Sequence, residues 1–219
     1  MNTCLCPVCA CQGVEAFDDL RHCPRCRHVF QWPPEATVSY DESYVRHYEA
    51  YPCREMSCLR VGFLKGFASR GRLLDVGYGN GAFVRAASAA GFDAFGCDVH
   101  GVDCGVREID LARDQSLWDV VSCFDSLEHF GDFSSVRSLW RRAQLVLVSL
   151  PLAPPAFPAC RAWSHYKPGE HLHYFSPASL ARLVAKPLIA ASNVEDAIRR
   201  PKDTRQNIYT AVYGECVGT

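Results

Sequence analysis

The feature that most constrains this chain is an alternation of apolar runs and helical stretches that begins at "RLLDVGY", residues 72–78. That run is short and almost continuously apolar, as a strand covered on both faces must be. The alanine-rich "GAFVRAASAAG" follows as a helix closed by Gly91. "DAFGCDV" reads as a second strand, "VREIDLA" as a weaker third and "WDVVSCFD" as a fourth. "SSVRSLWRRA" is a helix and "QLVLVSLP" a fifth strand, the strongest apolar run in the chain. "SPASLARLVA" is a further helix, and "LIAASNVEDAI" and "NIYTAVYGEC" are two final strands. Such alternation predicts an α/β fold, a Rossmann-like parallel sheet with helices on both faces. The last two strands have no helix between them and should pair antiparallel. One link strains the pattern: "HGVDCGV", between the second and third strands, is shorter than a parallel crossover normally needs.

Three segments follow from the punctuation. Residues 1–34 hold the clustered cysteines and end at "QWPPEA", where Pro-Pro stops a helix or central strand. Residues 35–70 read as a helical linker, with Tyr40, Tyr44, Val45 and Tyr48, then Leu59, Phe63, Leu64 and Phe67, at three- and four-residue spacing. Residues 71–219 form the main domain, and 152–175 make a proline-rich excursion too long for an ordinary connection. That excursion is a candidate active-site lid. A net charge of -1 excludes a chain that is basic all over and built to coat nucleic acid. No apolar run approaches the ~18 residues of a membrane span. The start of the chain lacks the basic and apolar regions of a secretory signal, so a cytoplasmic protein is expected.

Cys6-Pro-Val-Cys9 and Cys23-Pro-Arg-Cys26 are two C-x2-C units, which predict a four-thiolate Zn2+ ribbon. A secreted disulfide scaffold is the competing use of 13 cysteines. It would be small and loop-rich, whereas long periodic segments without a leader favour reduced thiolates. Cys4 and Cys11 stand close enough in sequence to be alternative ligands at the first unit. A piece of this length cannot build a core alone, so the metal would supply its folding energy. "RHCPRCRH" adds Arg21, Arg25 and Arg27, a basic patch that makes RNA or DNA a rival partner. A structural cap is the favoured role.

The loop Gly77-Tyr78-Gly79-Asn80-Gly81 lies where the first strand hands over to the first helix, and glycine there lets a ligand approach the backbone. Gly77, Gly79 and Ala82 formally allow a dinucleotide. Asp75, just ahead of the loop, would oppose a pyrophosphate and suits a cationic ligand. Asp98, after the second strand, can hold ribose hydroxyls in either case. The balance tips toward S-adenosylmethionine.

Acid-base candidates lie at the carboxyl edge of the sheet, where open α/β folds bind ligands. Glu128 and His129 follow the fourth strand; His165, Glu170, His171 and His173 lie in the excursion. Histidine titrates near working pH. In "EHLHYF" alternation puts His171 and His173 on one face if the segment is extended. His129 is the expected general base, with Glu128 and His173 as further catalytic candidates. A divalent ion held by Glu128, His129 and a lid histidine is a third option, and capping of the turn or packing of the lid are the structural alternatives.

"LLDVGYGNGAF", "GFDAFGCDVH", "WDVVSCFDSLEHF" and "LVLVSLP" stand in the order and spacing of class I S-adenosylmethionine-dependent methyltransferases. "FDSLEH" and "KPGEHLHYFSPASL" resemble the small-molecule group that includes ubiquinone-pathway O-methyltransferases, over roughly residues 36–185. The resemblance implies that Asp75, Gly77, Gly79 and Gly81 face the methionine part of the cofactor and that Asp98 holds the ribose. It further implies Val99 against adenine, Asp110 near the adenine amino group, Phe124 and Asp125 beside the sulfonium, and Tyr44 over the cofactor. Tyr78 departs from the usual small residue. The acceptor implied is a small polar molecule, with nucleic-acid methylation or an inactive zinc-ribbon module as rivals.

Overall fold

The computed structural model describes residues 4–38, 53–99, 104–155, 163–199 and 207–215. Three short antiparallel strands, β1 (Val14–Phe17), β2 (Leu20–His22) and β3 (Val29–Gln31), join the two cysteine turns. The main sheet comprises β4 (Gly71–Val76), β5 (Phe92–Cys97), β6 (Trp118–Phe124), β7 (Ala143–Pro151), β9 (Leu188–Ser192) and β10 (Ile208–Gly214), in the order β5-β4-β6-β7-β10-β9. The strands from β5 to β7 are parallel, and β10 runs antiparallel to both its neighbours.

Residue-by-residue alternation explains the unbroken apolar runs. Leu73, Val120, Phe124, Leu145 and Leu147 pack into one core, under the helices Cys53–Lys65 and Ala82–Ala89. Leu74, Val121, Cys123, Val146 and Val148 pack into the other, with the helices Ser134–Arg141 and Pro177–Val184. Both faces of the central strands β4, β6 and β7 are thereby largely removed from water, as parallel sheets require. The Ser176-Pro177 start works as expected. Ser176 Oγ accepts from the Ser179 amide at 3.2 Å, Ser179 Oγ accepts from the Ser176 amide at 2.9 Å, and Pro177 occupies a position with no amide to satisfy.

The ribbon is continuous with this second core. Cys6, Val8, Cys23, Cys26 and Phe30 share it with Trp140, Leu180 and Leu183. A two-residue strand from the excursion, β8 (His173–Tyr174), also joins the ribbon sheet, pairing Val29 with Tyr174 and Phe30 with His173. Among the described residues no helix is long and apolar enough to cross a membrane.

Two expectations need correction. The third strand, "VREIDLA", is reduced to a single parallel bridge between Gly96 and Glu108. The connection is too short for a full crossover, and the Tyr78 ring lies against Gly96, where a Cβ would stand 2.5 Å from it. "LIAASNVEDAI" stops as a strand at Ser192 and turns into the short helix Asp196–Arg199. Glu195 is pulled inward there to meet Arg60. The tyrosines of the linker, Tyr44 among them, lie outside the described residues.

Candidate functional site

Gly77, Gly79 and Gly81 have φ values of 78°, 54° and 72°, the left-handed region that glycine enters without penalty. A Cβ on Gly77 would come within 2.8 Å of the Ser126 side chain, and one on Gly81 within 2.6 Å of Val106. The loop therefore needs glycine for space as well as for its turn. Gly81 opens the helix Ala82–Ala89, so the bend sits at a helix amino end. The Gly79 amide donates to Asp98 at 2.9 Å, bringing that carboxylate to the loop.

Asp75 is the next-to-last residue of β4 and is 3% exposed. Its Oδ1 accepts from Ser122 Oγ at 2.7 Å. Burial pushes its carboxyl up to about 6, a rise opposed by the Ser122 hydrogen bond and the nearby Arg60 guanidinium. Arg60 lies over the Phe124 ring at 4.2 Å and donates to Asp125 at 2.9 Å and to both oxygens of Glu195 at 2.9 Å. Arg199 bonds the same two carboxylates. Burial alone would raise the Asp125 carboxyl, but Arg199 and Arg60 hold it well below the ordinary range. Sequence reasoning missed Arg60, Glu195 and Arg199. A signal existed for Arg60: it falls midway between buried Met56 and Leu64 at four-residue spacing, a charge on the inner face of its helix.

Val99 stands 85% exposed just beyond β5, next to Asp98. Asp110 corrects the sequence reading. With no third strand to position it, its carboxylate is exposed and turned to local partners, the Ala112 amide at 2.9 Å and Arg113 at 3.4 Å.

The short 3-10 turn Leu127–His129 follows β6 and is tied to the loop end of β4 by Ser126 Oγ, which donates to the Val76 carbonyl at 3.1 Å. The excursion closes over it, the Leu172 amide donating to the Glu128 carbonyl at 2.7 Å. His129 Nδ1 lies 2.9 Å from the Glu170 carbonyl, which can only accept. The proton is thus on Nδ1 and the lone pair on Nε2. Burial lowers the His129 pKa, so this ring is neutral near neutral pH. Glu128 is 2% exposed, its Oε2 meets no hydrogen-bond donor, and burial pushes its carboxyl up to about 8. His171 is 4% exposed with no partner for Nδ1, and burial together with His129 drives its pKa down to about 2. One donor atom from each of Glu128, His129 and His171 lies within 4.8 Å of the other two.

His173, expected beside them, belongs elsewhere. Its Nε2 donates to the Phe130 carbonyl at 2.7 Å, so its Nδ1 accepts, from His28 Nε2 at 3.1 Å. Both ring nitrogens are committed and the ring is buried between the ribbon and Phe133. It can hold the lid to the ribbon; it cannot take a proton from a substrate. The pairing of His171 and His173 on one face fails because β8 begins only at His173.

The four expected cysteines converge. Cys6 and Cys26 sulfurs are 3.6 Å apart, Cys9 and Cys23 sulfurs 3.4 Å, and all four lie within 4.8 Å of one another. Thiolates ~2.3 Å from a tetrahedral zinc stand ~3.8 Å apart, so the set fits that ion. Cys11 is turned to Arg25 at 3.7 Å instead. A cavity of about 520 Å3 lies between the ribbon and the carboxyl ends of the helices Ser134–Arg141 and Pro177–Val184. None of the carboxyl-edge residues lines it, and its Arg137 is already bonded to the carbonyls of Pro7 and Val8.

Residues 44–186 match a family described as a methyltransferase domain. A ubiquinone biosynthesis O-methyltransferase from Bordetella parapertussis is 32% identical over 109 residues, which are 40% of this chain and 45% of that protein. The chain thus matches about half the length of this curated relative. Among solved structures, a magnesium protoporphyrin IX methyltransferase from Synechocystis with bound S-adenosylhomocysteine superposes with a TM-score of 0.52 at 16% identity, over 82% of this chain and 88% of that one. A 1,6-didemethyltoxoflavin-N1-methyltransferase from Burkholderia thailandensis, also holding S-adenosylhomocysteine, gives 0.54 at 11% identity, over 90% and 100%. These two likenesses are of fold.

Proposed function

Because the chain belongs to the methyltransferase-domain family, we propose that it moves the methyl group of S-adenosylmethionine to a small polar acceptor at the carboxyl edge of β4 and β6. One observation carries this reading: a buried carboxylate, Asp75, lies near the largely enclosed guanidinium of Arg60 beside the glycine bend. The methionine end of the cofactor carries an ammonium, a sulfonium and a carboxylate. Asp75 suits the first, Phe124 and Asp125 lie beside the second, and Arg60 suits the third. Asp98 takes the ribose hydroxyls, Val99 lies against adenine, and the amides of Gly77, Gly79 and Gly81 allow close approach. A diphosphate would meet a carboxylate where it needs a donor.

The thiolates of Cys6, Cys9, Cys23 and Cys26 hold Zn2+, and the ribbon serves as a structural cap on the lid. His129 and Glu128 activate the acceptor; His173 positions the lid they share. A small molecule is favoured over nucleic acid because the similar proteins are named for ubiquinone, protoporphyrin and toxoflavin chemistry.

The test is mass spectrometry of metabolites and nucleic acids for a gain of one methyl group in cells expressing the chain. His129→Ala should lower turnover by ~10²-fold or more, the usual weight of a group that activates a nucleophile, with cofactor affinity unchanged. A methylated RNA in place of a metabolite would overturn the acceptor class.

A further inference from the structure

We propose that the cavity between the cysteine ribbon and the helices Ser134–Arg141 and Pro177–Val184 binds a small organic phosphate, at a site distinct from the carboxyl edge of the sheet. The inference goes beyond the methyl-transfer reading and does not depend on it.

The charge pattern of the two helices is one-sided. Neither contains an aspartate or a glutamate, so neither can neutralise its own arginines. Arg137 and Arg141 stand four residues apart on one helix, the spacing at which like charges face each other and destabilise it. Arg182 and Lys186 are likewise four apart, astride the end of the other helix. All four line the cavity, and no acidic residue does. One cation near each carboxyl end is the ordinary complement of a helix dipole. Four around one hollow exceed that need. Among the described residues, Arg141, Arg182 and Lys186 have no ion-pair partner.

Arg137 builds the wall as well as charging it. Its Nη2 donates to the carbonyls of Pro7 at 3.0 Å and Val8 at 2.7 Å, which seats the first cysteine turn on the helix. Both bonds leave from one nitrogen, so Nε and Nη1 remain as donors. The helix ends close partly on themselves, the Ala185 amide on the Ala181 carbonyl and the Arg142 amide on that of Leu139. The sulfurs of Cys6 and Cys9 also line the cavity, and in the reading above they belong to the ribbon zinc. Arg25, at 3.7 Å from Cys11 Sγ, offsets part of the charge of that cluster from outside the cavity.

Size and lining then select the ligand. A volume of about 520 Å3 suits one small molecule. The enclosed part of the lining is apolar, with Val8, Leu183 and Val184 buried, whereas Arg141 and Arg182 are exposed at its surface. The Trp140 indole N–H, also part of the wall, meets no acceptor in the protein. Such a hollow asks for an apolar body that carries an acceptor-rich anion. A phosphate monoester brings three acceptor oxygens and about two negative charges, and guanidinium forks match its oxygens in pairs.

The test is a calorimetric titration of phenyl phosphate, and separately of inorganic phosphate, into the zinc-loaded protein saturated with S-adenosylhomocysteine. The expected result is one saturable site for phenyl phosphate, roughly tenfold tighter than for inorganic phosphate because the ring is buried. Arg141→Gln combined with Arg182→Gln should weaken that binding at least ~tenfold. Both side chains are exposed, so the melting temperature and the S-adenosylhomocysteine affinity should not change. Absence of saturable phosphate binding, or binding that survives the double substitution, would overturn the proposal. So would an RNA oligonucleotide that binds through the same two arginines when phenyl phosphate does not. Repeating the titration without S-adenosylhomocysteine keeps the result independent of the methyl-donor reading.

Discussion

Arg60→Ala should lower the melting temperature by roughly 10 °C and remove measurable binding of the methyl donor. Arg60 is 12% exposed and bridges Glu195, which is 1% exposed, and Asp125. Removing one member of a buried ion pair strands the others and costs about 3–5 kcal/mol. For a chain of this size each kcal/mol moves the midpoint by about 2–4 °C. Arg199 retains both carboxylates, which keeps the loss from being complete. The pH dependence has a definite sign. The folded-state pKa values of Asp125 and Glu195 are lowered, because the two arginines outweigh burial. Their stabilisation is present above the unfolded carboxylate range of ~4 and is lost as pH falls below it, so wild type and variant should converge in acid. Differential scanning calorimetry at pH 7 and at about pH 2 checks this. Arg60→Met combined with Glu195→Leu should recover much of the melting temperature but none of the cofactor affinity, which separates the structural role from the binding role.

Stripping the ribbon of metal, or replacing Cys23 and Cys26 by serine, should unfold residues 4–32 and abolish turnover while cofactor binding survives. Structural zinc supplies on the order of 10 kcal/mol to a small four-ligand unit, more than its own short strands can replace. The loss travels along a defined route. With β3 gone, β8 loses the strand it pairs with among the described residues, the His28–His173 contact opens, and the Gln31 amide no longer holds the Leu172 carbonyl. Leu172 in turn holds Glu128, and His171 is its immediate neighbour in the chain, so the activating cluster disperses. The glycine bend is built on β4 and β5 and does not depend on that chain of contacts. Hydrogen exchange should therefore show fast amides at His173 and Tyr174 in the metal-free protein, with calorimetric affinity for S-adenosylhomocysteine unchanged. A metal-free protein with wild-type turnover would contradict the route.

Most of the main sheet could be read from the chain because its determinants are local. Leu73 and Leu74 enter opposite cores, so a run of like residues signals a strand covered twice. The cysteine turns and the glycine bend are equally local, each set by a few adjacent residues. What escaped depends on distant partners. Nothing in "LHYF" marks a two-residue strand, because its pairing is with Phe30, more than a hundred residues earlier. That pairing separates His171 from His173 and assigns them to different tasks. Arg60 was hidden for the same reason: its meaning comes from Glu195 and Asp125, which only the closed sheet brings together. The third strand misled because "VREIDLA" has strand composition but not the length of chain needed to reach its place.

The most direct test of the account is a calorimetric titration of S-adenosylhomocysteine into the protein between pH 5 and pH 8. Asp75, whose carboxyl is pushed up to about 6 by burial, must be ionised to meet the ligand's ammonium group. The account predicts one site whose affinity is full at pH 7.5 and falls as pH drops below about 6, and an Asp75→Asn variant with weak binding at every pH. A silent titration, or a site that takes NADH in its place, would contradict it.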